Sequence, residues 1–292
     1  MSAFFSLRIF LGLLVFFAGA LLALFATPTS PGLIHGRAGS PNAPLHLPIA
    51  PSGGVQEAWV ARFNGPANGS DSATAIAIDS SGNVYVTGGS AVSGLAPGYA
   101  TIKYDSSGQQ QWVAYYNGPD NNADFAEAVA VDSSGNVYVT GESAGPGTYM
   151  DYATIKYNFS GQQQWVIRYD GPGHDLDRAS GIAVNDSGNV YVTGWSWGAA
   201  TSSDYATVKY NSAGQQQWVA RYGGPVHGDD EAIGIALDGS GNIYVTGYSV
   251  GSGTDRDYVT IKYNPSGQAE WVARYNGNNI LDRPFHGCRL VA

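Results

Sequence analysis

A 53-residue period runs through this sequence, and it limits the chain to architectures in which one supersecondary unit stacks on copies of itself. The phrase WVARFNGP at Trp59 returns, with small changes, at Trp112, Trp165, Trp218 and Trp271, always 53 residues on. SGNVYVTG at Ser81, Ser134 and Ser187 becomes SGNIYVTG at Ser240. YATIKY at Tyr99 and Tyr152 becomes YATVKY at Tyr205 and YVTIKY at Tyr258. Every lysine of the chain, Lys103, Lys156, Lys209 and Lys262, falls in one slot of the period.

Each unit reads as four short strands. In the first they are AIAID from Ala75, NVYVTG from Asn83, YATIKY from Tyr99 and QQWVAYYNG from Gln110. All are rich in β-branched and aromatic residues and are bounded by Gly, Asn, Ser or Pro. DSSGN-type turns join strands one and two; DSSGQ- or NSAGQ-type turns join three and four. An Asp or Asn before Ser-Gly supplies the acceptor and the positive φ of a tight hairpin, so Asp79, Asp132, Asn185 and Asp238 are read as turn residues. No helical period appears after Ala26. Four-stranded antiparallel sheets recurring every ~40 to 55 residues predict an all-β β-propeller. Four complete blades are expected at about 73–117, 126–170, 179–223 and 232–276, with a spare fourth strand at Trp59. Beyond Gly277 the register is lost in NNILDRPFHGCRLVA, which gives an irregular tail at 278–292. Four blades close a ring or stay open as an arc of a longer propeller, and the sequence leaves both readings standing.

The combination of DYATIKYN, GQQQWVARY and AVDSSGNVYVTG phrases resembles the SBBP family of bacterial β-propeller repeats, the seven-bladed type. The resemblance covers residues 55 to about 277. It implies an exported propeller-type repeat protein and assigns no single activity, so function has to be argued from the site.

Composition narrows the partners. Only 13% of residues are charged while 43% are apolar, which fits neither a coiled coil nor a disordered tail. The net charge of −9, from 23 acids against 14 Lys and Arg, excludes a nucleic-acid partner, whose phosphates need clustered basic side chains. A lone Cys288 permits neither an internal disulfide nor a cysteine zinc site. Residues 9–26 are an unbroken apolar run behind Arg8, and residues 1–26 read as a signal peptide or an N-terminal membrane anchor. Residues 27–54 hold six prolines and read as a linker or a leftover pro-region. The expected location is secreted or cell-envelope, with membrane anchoring through residues 9–26 if the segment is retained.

Candidate chemistry lies on the loops after strands two and four, which keep their length and change their sequence; in an up-and-down blade both sit on one face. Trp195 and Trp197 are the only tryptophans outside the repeat slot, read here as lying on a WSWG loop. They are suited to stacking on a sugar or anchoring a partner, or to covering the neighbouring blade. His174 and His227 are equivalent, each three residues before an acid, Asp177 and Asp230. Imidazole with carboxylate suits metal or acid–base work, yet adjacent blades hold the two sets too far apart for one ion, so no metal site is assigned. The acidic strand-four loops offer calcium its oxygens, and turn capping accounts for the same residues. The lysine slot is expected to be structural, its methylenes over a neighbour and its ammonium on an acid, so that Lys156→Met weakens folding first.

Three functions compete. The first is an exported, non-catalytic scaffold that binds an extracellular glycan or protein through the variable loops. The second is a propeller-based glycan hydrolase or lyase. Against it, the first strands are dominated by Ala, Ile, Gly and Val, Glu127 stands alone, and no HExxH or P-loop is present. The third is a fragment of a longer propeller, without independent function and prone to self-association through open blade edges.

Overall fold

The computed structural model describes residues 5–10, 56–92, 96–147 and 149–277. Within them there is no helix, and so none long and apolar enough to cross a membrane. The chain divides into two compact units, Met1–Leu7 with Ala61–Ala292, and Arg8–Val60. Strands β1 (Phe5–Phe10) and β2 (Glu57–Phe63) form a two-stranded sheet. The expected linker, the tail 278–292 and all but Ile9 and Phe10 of the apolar run lie outside the described residues.

Four four-stranded sheets follow, each an antiparallel meander in chain order. Blade 1 is β3 (Asp71–Ile78), β4 (Val84–Ser90), β5 (Gly98–Tyr104) and β6 (Gln110–Tyr116). Blade 2 is β7 (Asp124–Val131), β8 (Val137–Ala144), β9 (Met150–Tyr157) and β10 (Gln163–Tyr169). Blade 3 is β11 (Asp177–Val184), β12 (Val190–Trp197), β13 (Ser203–Tyr210) and β14 (Gln216–Tyr222). Blade 4 is β15 (Asp230–Leu237), β16 (Ile243–Val250), β17 (Arg256–Tyr263) and β18 (Ala269–Tyr275). The first strands of successive blades lie against one another, β3 on β7, β7 on β11 and β11 on β15, as in a propeller. Among the described residues blade 4 does not pack back on blade 1, so the four sheets are not closed into a ring.

The hairpin turns follow from the sequence. Asp79 Oδ1 accepts the Ser81 and Asn83 amides at 2.9 Å, and the same Asx turn recurs at Asp132, Asn185 and Asp238. The turn glycines, from Gly82 to Gly267, have φ between +73° and +86°, where a Cβ is disfavoured. First strands begin earlier than the sequence suggested, at Asp71 instead of Ala75. A β-bulge at Thr74 carries the ladder on to Asp71, and the bulge recurs at Glu127, Ser180 and Ile233.

The blades are joined by one repeated set of contacts. Tyr152 and Tyr205 are fully buried against the next blade and donate to its Ala206 and Val259 carbonyls at 3.1 and 3.3 Å. Trp112, Trp165 and Trp218 donate their indole N–H to the next blade's turn, at the carbonyls of Phe159, Ser212 and Pro265. Each lysine ammonium lies 5.2 to 5.8 Å from a tyrosine ring of its own blade. The acid expected beside it is present at Lys262, which meets Glu270 at 2.7 Å; Lys156 and Lys209 reach the next turn's carbonyl instead. The lysine points across the junction, where the neighbouring turn offers backbone oxygen before any side chain. Arg221 closes the junction by donating to Ser196 Oγ at 2.7 Å, Asp204 at 3.1 Å and the Tyr169 hydroxyl of the preceding blade at 3.2 Å. Arg168 and Arg274 repeat this pattern.

Candidate functional site

Compared column by column, the strand ends on the loop face alternate between constant and variable residues. Position 71 and its equivalents 124, 177 and 230 are all Asp; positions 73, 126, 179 and 232 are all Ala; positions 90, 143, 196 and 249 are all Ser. Between them, positions 72, 125, 178 and 231 are Ser, Phe, Arg and Glu, and the residues paired with them, 89, 142, 195 and 248, are Gly, Glu, Trp and Tyr. A period of two separates the faces of a strand. The constant residues are packed inward, with Asp124, Asp177, Asp230 and the four serines at 0–1% exposure. The glycines at 88, 141, 194 and 247 are required, because a Cβ there would lie 1.9 Å from a carbonyl oxygen of the paired strand.

The variable set assembles a continuous belt over blades 2 to 4. The bulge residue Glu127 forms an ion pair with Arg178 of the next blade, and the Arg178 Nε lies 3.8 Å from Glu142. In blades 1 and 3 the bulge residues Thr74 and Ser180 donate instead to the next blade's Ala126 and Ala232 carbonyls at 2.6 Å. Glu142 has its pKa pushed up by burial; Arg178 opposes that rise and Glu127 adds to it. Trp195 stands opposite Arg178 in the β11–β12 ladder. On blade 4 the Tyr248 hydroxyl is bonded to Glu231, and burial with that carboxylate raises its pKa. The Arg256 guanidinium lies 4.1 Å from the Tyr248 ring centroid and 3.9 Å from Asp229, which accepts bonds from Ser202 and Ser203. Phe125, 42% exposed, extends the belt on blade 2. Carboxylates, guanidinia and aromatic rings thus alternate along one face, a composition that hydrogen-bonds and stacks at once.

The residues singled out in the sequence fare differently. Trp195 belongs to the belt; Trp197 is the last residue of β12 and its backbone pairs with Gly173 and Leu176, so both tryptophans are on a strand and not a loop. Asp177 and Asp230 are buried braces that accept the Gly171 and Gly224 amides and thereby fold the GP loop onto its blade. His174 pairs not with Asp177 but with Asp170, Nδ1 to Oδ2 at 2.7 Å, and that carboxylate holds its imidazole protonated to higher pH than usual. At the equivalent positions Asn68 and Asn121 instead accept, through Oδ1, from the side-chain amides of Asn64 and Asn117. Asn68, Asn121, His174 and His227 all have φ between +45° and +53°, a region Asn and His tolerate, so the histidines fill a backbone requirement. Glu127, which had no visible partner, gets one from the neighbouring blade.

Glu142, Arg178, Tyr248 and Arg256 were missed, and Glu231 was read only as one of the acidic strand-four loop residues. The signal was present: they are the columns that differ inside otherwise copied strand ends. As for cations, ligand atoms of Asp151, Asp170 and Asp177 lie within 4.8 Å of one another at the blade 2–3 junction. Arg168 already meets Asp151 at 2.9 Å and the Gly171 amide meets Asp177 at 2.6 Å.

Fold and junctions define a β-propeller protein. The SBBP β-propeller repeat matches residues 58–94, 111–147, 164–199 and 217–253, about half of the chain, and the chain belongs to that family. Four matched repeats leave the seven-blade count implied by the resemblance without support. No curated protein matches the chain in sequence. Among solved structures it is similar to an α-L-arabinofuranosidase of Fusarium graminearum, bound to an iminosugar inhibitor, at 9% identity and TM-score 0.49, covering 68% of this chain and 65% of that one. A proposed gluconolactonase is similar at 14% identity and TM-score 0.37, covering 66% of this chain and 60% of that one. The chain thus spans less than two thirds of either structure's length, and neither likeness bears on its activity.

Proposed function

We propose that the chain is an exported, non-catalytic scaffold that binds an extracellular or cell-surface glycan through the belt on its loop face. The observation that carries this reading is the alternation at the strand ends. Copied residues hold the blade together, while the positions between them carry Phe125, Glu127, Glu142, Arg178, Trp195, Glu231 and Tyr248, side chains that the other units do not repeat. Their exposure runs from 42% at Phe125 to 5% at Tyr248. A sugar offers hydroxyls to carboxylates and guanidinium and an apolar ring face to Trp195. A glycan panel with a protein panel beside it tests this. The expected result is saccharide binding that weakens about tenfold or more in Arg178→Ala and Trp195→Ala, with unchanged circular dichroism. Equal binding by both variants removes the belt from the reading, and binding confined to the protein panel replaces glycan with protein.

A glycan hydrolase or lyase is the second reading. It is favoured by two carboxylates, Glu127 and Glu142, on one guanidinium, with Glu142 shifted toward the protonated form that a general acid needs. Cleavage of aryl glycosides abolished by Glu142→Gln would support it; no turnover by the intact chain removes it.

A further inference from the structure

We infer that the two ends of the blade arc are complementary, and that Tyr258 of one copy enters a vacant tyrosine socket on blade 1 of another. An open hollow lies on the blade 1 face, lined chiefly by Phe63, Ala73, Val86, Ala100, Ile102 and Tyr104. One period further on, the equivalents are Tyr116, Ala126, Val139, Ala153, Ile155 and Tyr157, and these are the core of the blade 1–2 junction. What that core has in addition is Tyr99, fully buried, its hydroxyl bonded to the Glu142 and Ala153 carbonyls at 3.3 and 3.4 Å. The blade 2–3 and 3–4 junctions are filled in the same way by Tyr152 and Tyr205. The corresponding acceptors on blade 1 are the carbonyls of Gly89 and Ala100, whose residues line the cavity. Among the described residues no tyrosine fills it.

At the other end of the arc the fourth tyrosine is displayed. Tyr258 is 37% exposed where Tyr99, Tyr152 and Tyr205 are at 0%, and beside it Trp271, Val272 and Tyr275 are 43, 45 and 67% exposed. Among the described residues there are therefore three filled sockets, one that no tyrosine fills, and one tyrosine that enters no socket. The occupant is a second copy because blade 4 continues the surface that blades 1 to 3 use against their neighbours, residue for residue. Such a contact is heterologous, so copies associate head to tail and either close a ring or extend. Ala61 and Phe63 of β2 line the socket as Ala114 and Tyr116 line the next one. The incoming β18, WVARYNG, and the β1 strand paired with β2 must therefore both give way to let β2, WVARFNG, join the incoming blade. Exchange of nearly identical strands has a low cost.

Sedimentation velocity of the full chain from micromolar to hundreds of micromolar tests the contact. The expected result is a mass that rises with concentration to two copies or more. Tyr258→Asp and Ala73→Phe, which fills the socket from within, each raise the dissociation constant about tenfold or more. Mixing the two variants restores a one-to-one complex, because each retains the end the other lacks. A chain that stays monomeric, association that survives Tyr258→Asp through any other surface, or variants that fail to complement would each overturn the inference.

Discussion

At the scale of single residues, the copied units act as internal controls. His227 occupies a left-handed backbone position, φ +45°, that Asn fills in two other units, and its ring is solvent-exposed. His227→Asn is expected to leave stability within about 0.5 kcal/mol. His227→Val forces a β-branched residue into that region and should cost about 1–2 kcal/mol, read by urea unfolding. Asp177 gives a pH signature. Burial lifts its pKa to about 6, with opposing bonds from Ser196 and the Gly171 amide. The folded state therefore holds its proton more tightly than the unfolded state, whose carboxyl titrates near 3.8. Its penalty is absent below the lower value and grows as pH rises from about 3.8 to about 6, where the folded chain must ionise a buried group. Asp177→Asn keeps an acceptor for the Gly171 amide and removes the titration. The fall in melting temperature across that window should be shallower than in the parent chain; an identical slope would assign the effect elsewhere.

At the scale of strands, the third strand links its own blade to the next. Lys156 lies 5.2 Å from the Tyr138 ring centroid and donates to the Ser212 carbonyl at 3.4 Å, so one side chain touches both blades. Lys156→Met keeps the methylenes and loses the charge, and should lower stability by about 0.5–1 kcal/mol. A melt unchanged by this substitution would reduce the lysine slot to packing. The alternation that defines the belt is also a property of the strand. Inward residues are copied because each blade meets an identical neighbour, whereas outward residues escape that constraint and differ from unit to unit. The bulge at Glu127 turns one more residue toward the next blade, where it meets Arg178.

At the scale of the molecule, stability is a sum of junctions, and a residue's worth depends on its place in the arc. Tyr205→Ala empties a filled socket and should cost about 3–5 kcal/mol. The same change at Tyr258, in the same column of the repeat, should stay within about 1 kcal/mol, because it is 37% exposed and no described blade packs beyond it. Equal losses at the two positions would contradict an open arc. A chain of stacked blades also presents its variable columns as one belt, so Glu127, Arg178 and Glu231 act across blades although each stands alone in its own strand.

The sequence by itself determined the blade. A 53-residue period, Asx-Gly turns and alternating apolar strands suffice because hairpin register and strand facing are local properties. It also determined that the loop face is where the units differ. Only the tertiary structure decided which of those differences meet. Glu127 and Arg178 are 51 residues apart and on separate sheets, and no strand-level periodicity reports the stacking of one blade on the next. The same reason hid the roles of Asp177, His174 and Trp197, whose partners are fixed by how the GP loop folds back, and the vacant socket, which exists only because three equivalent ones are filled.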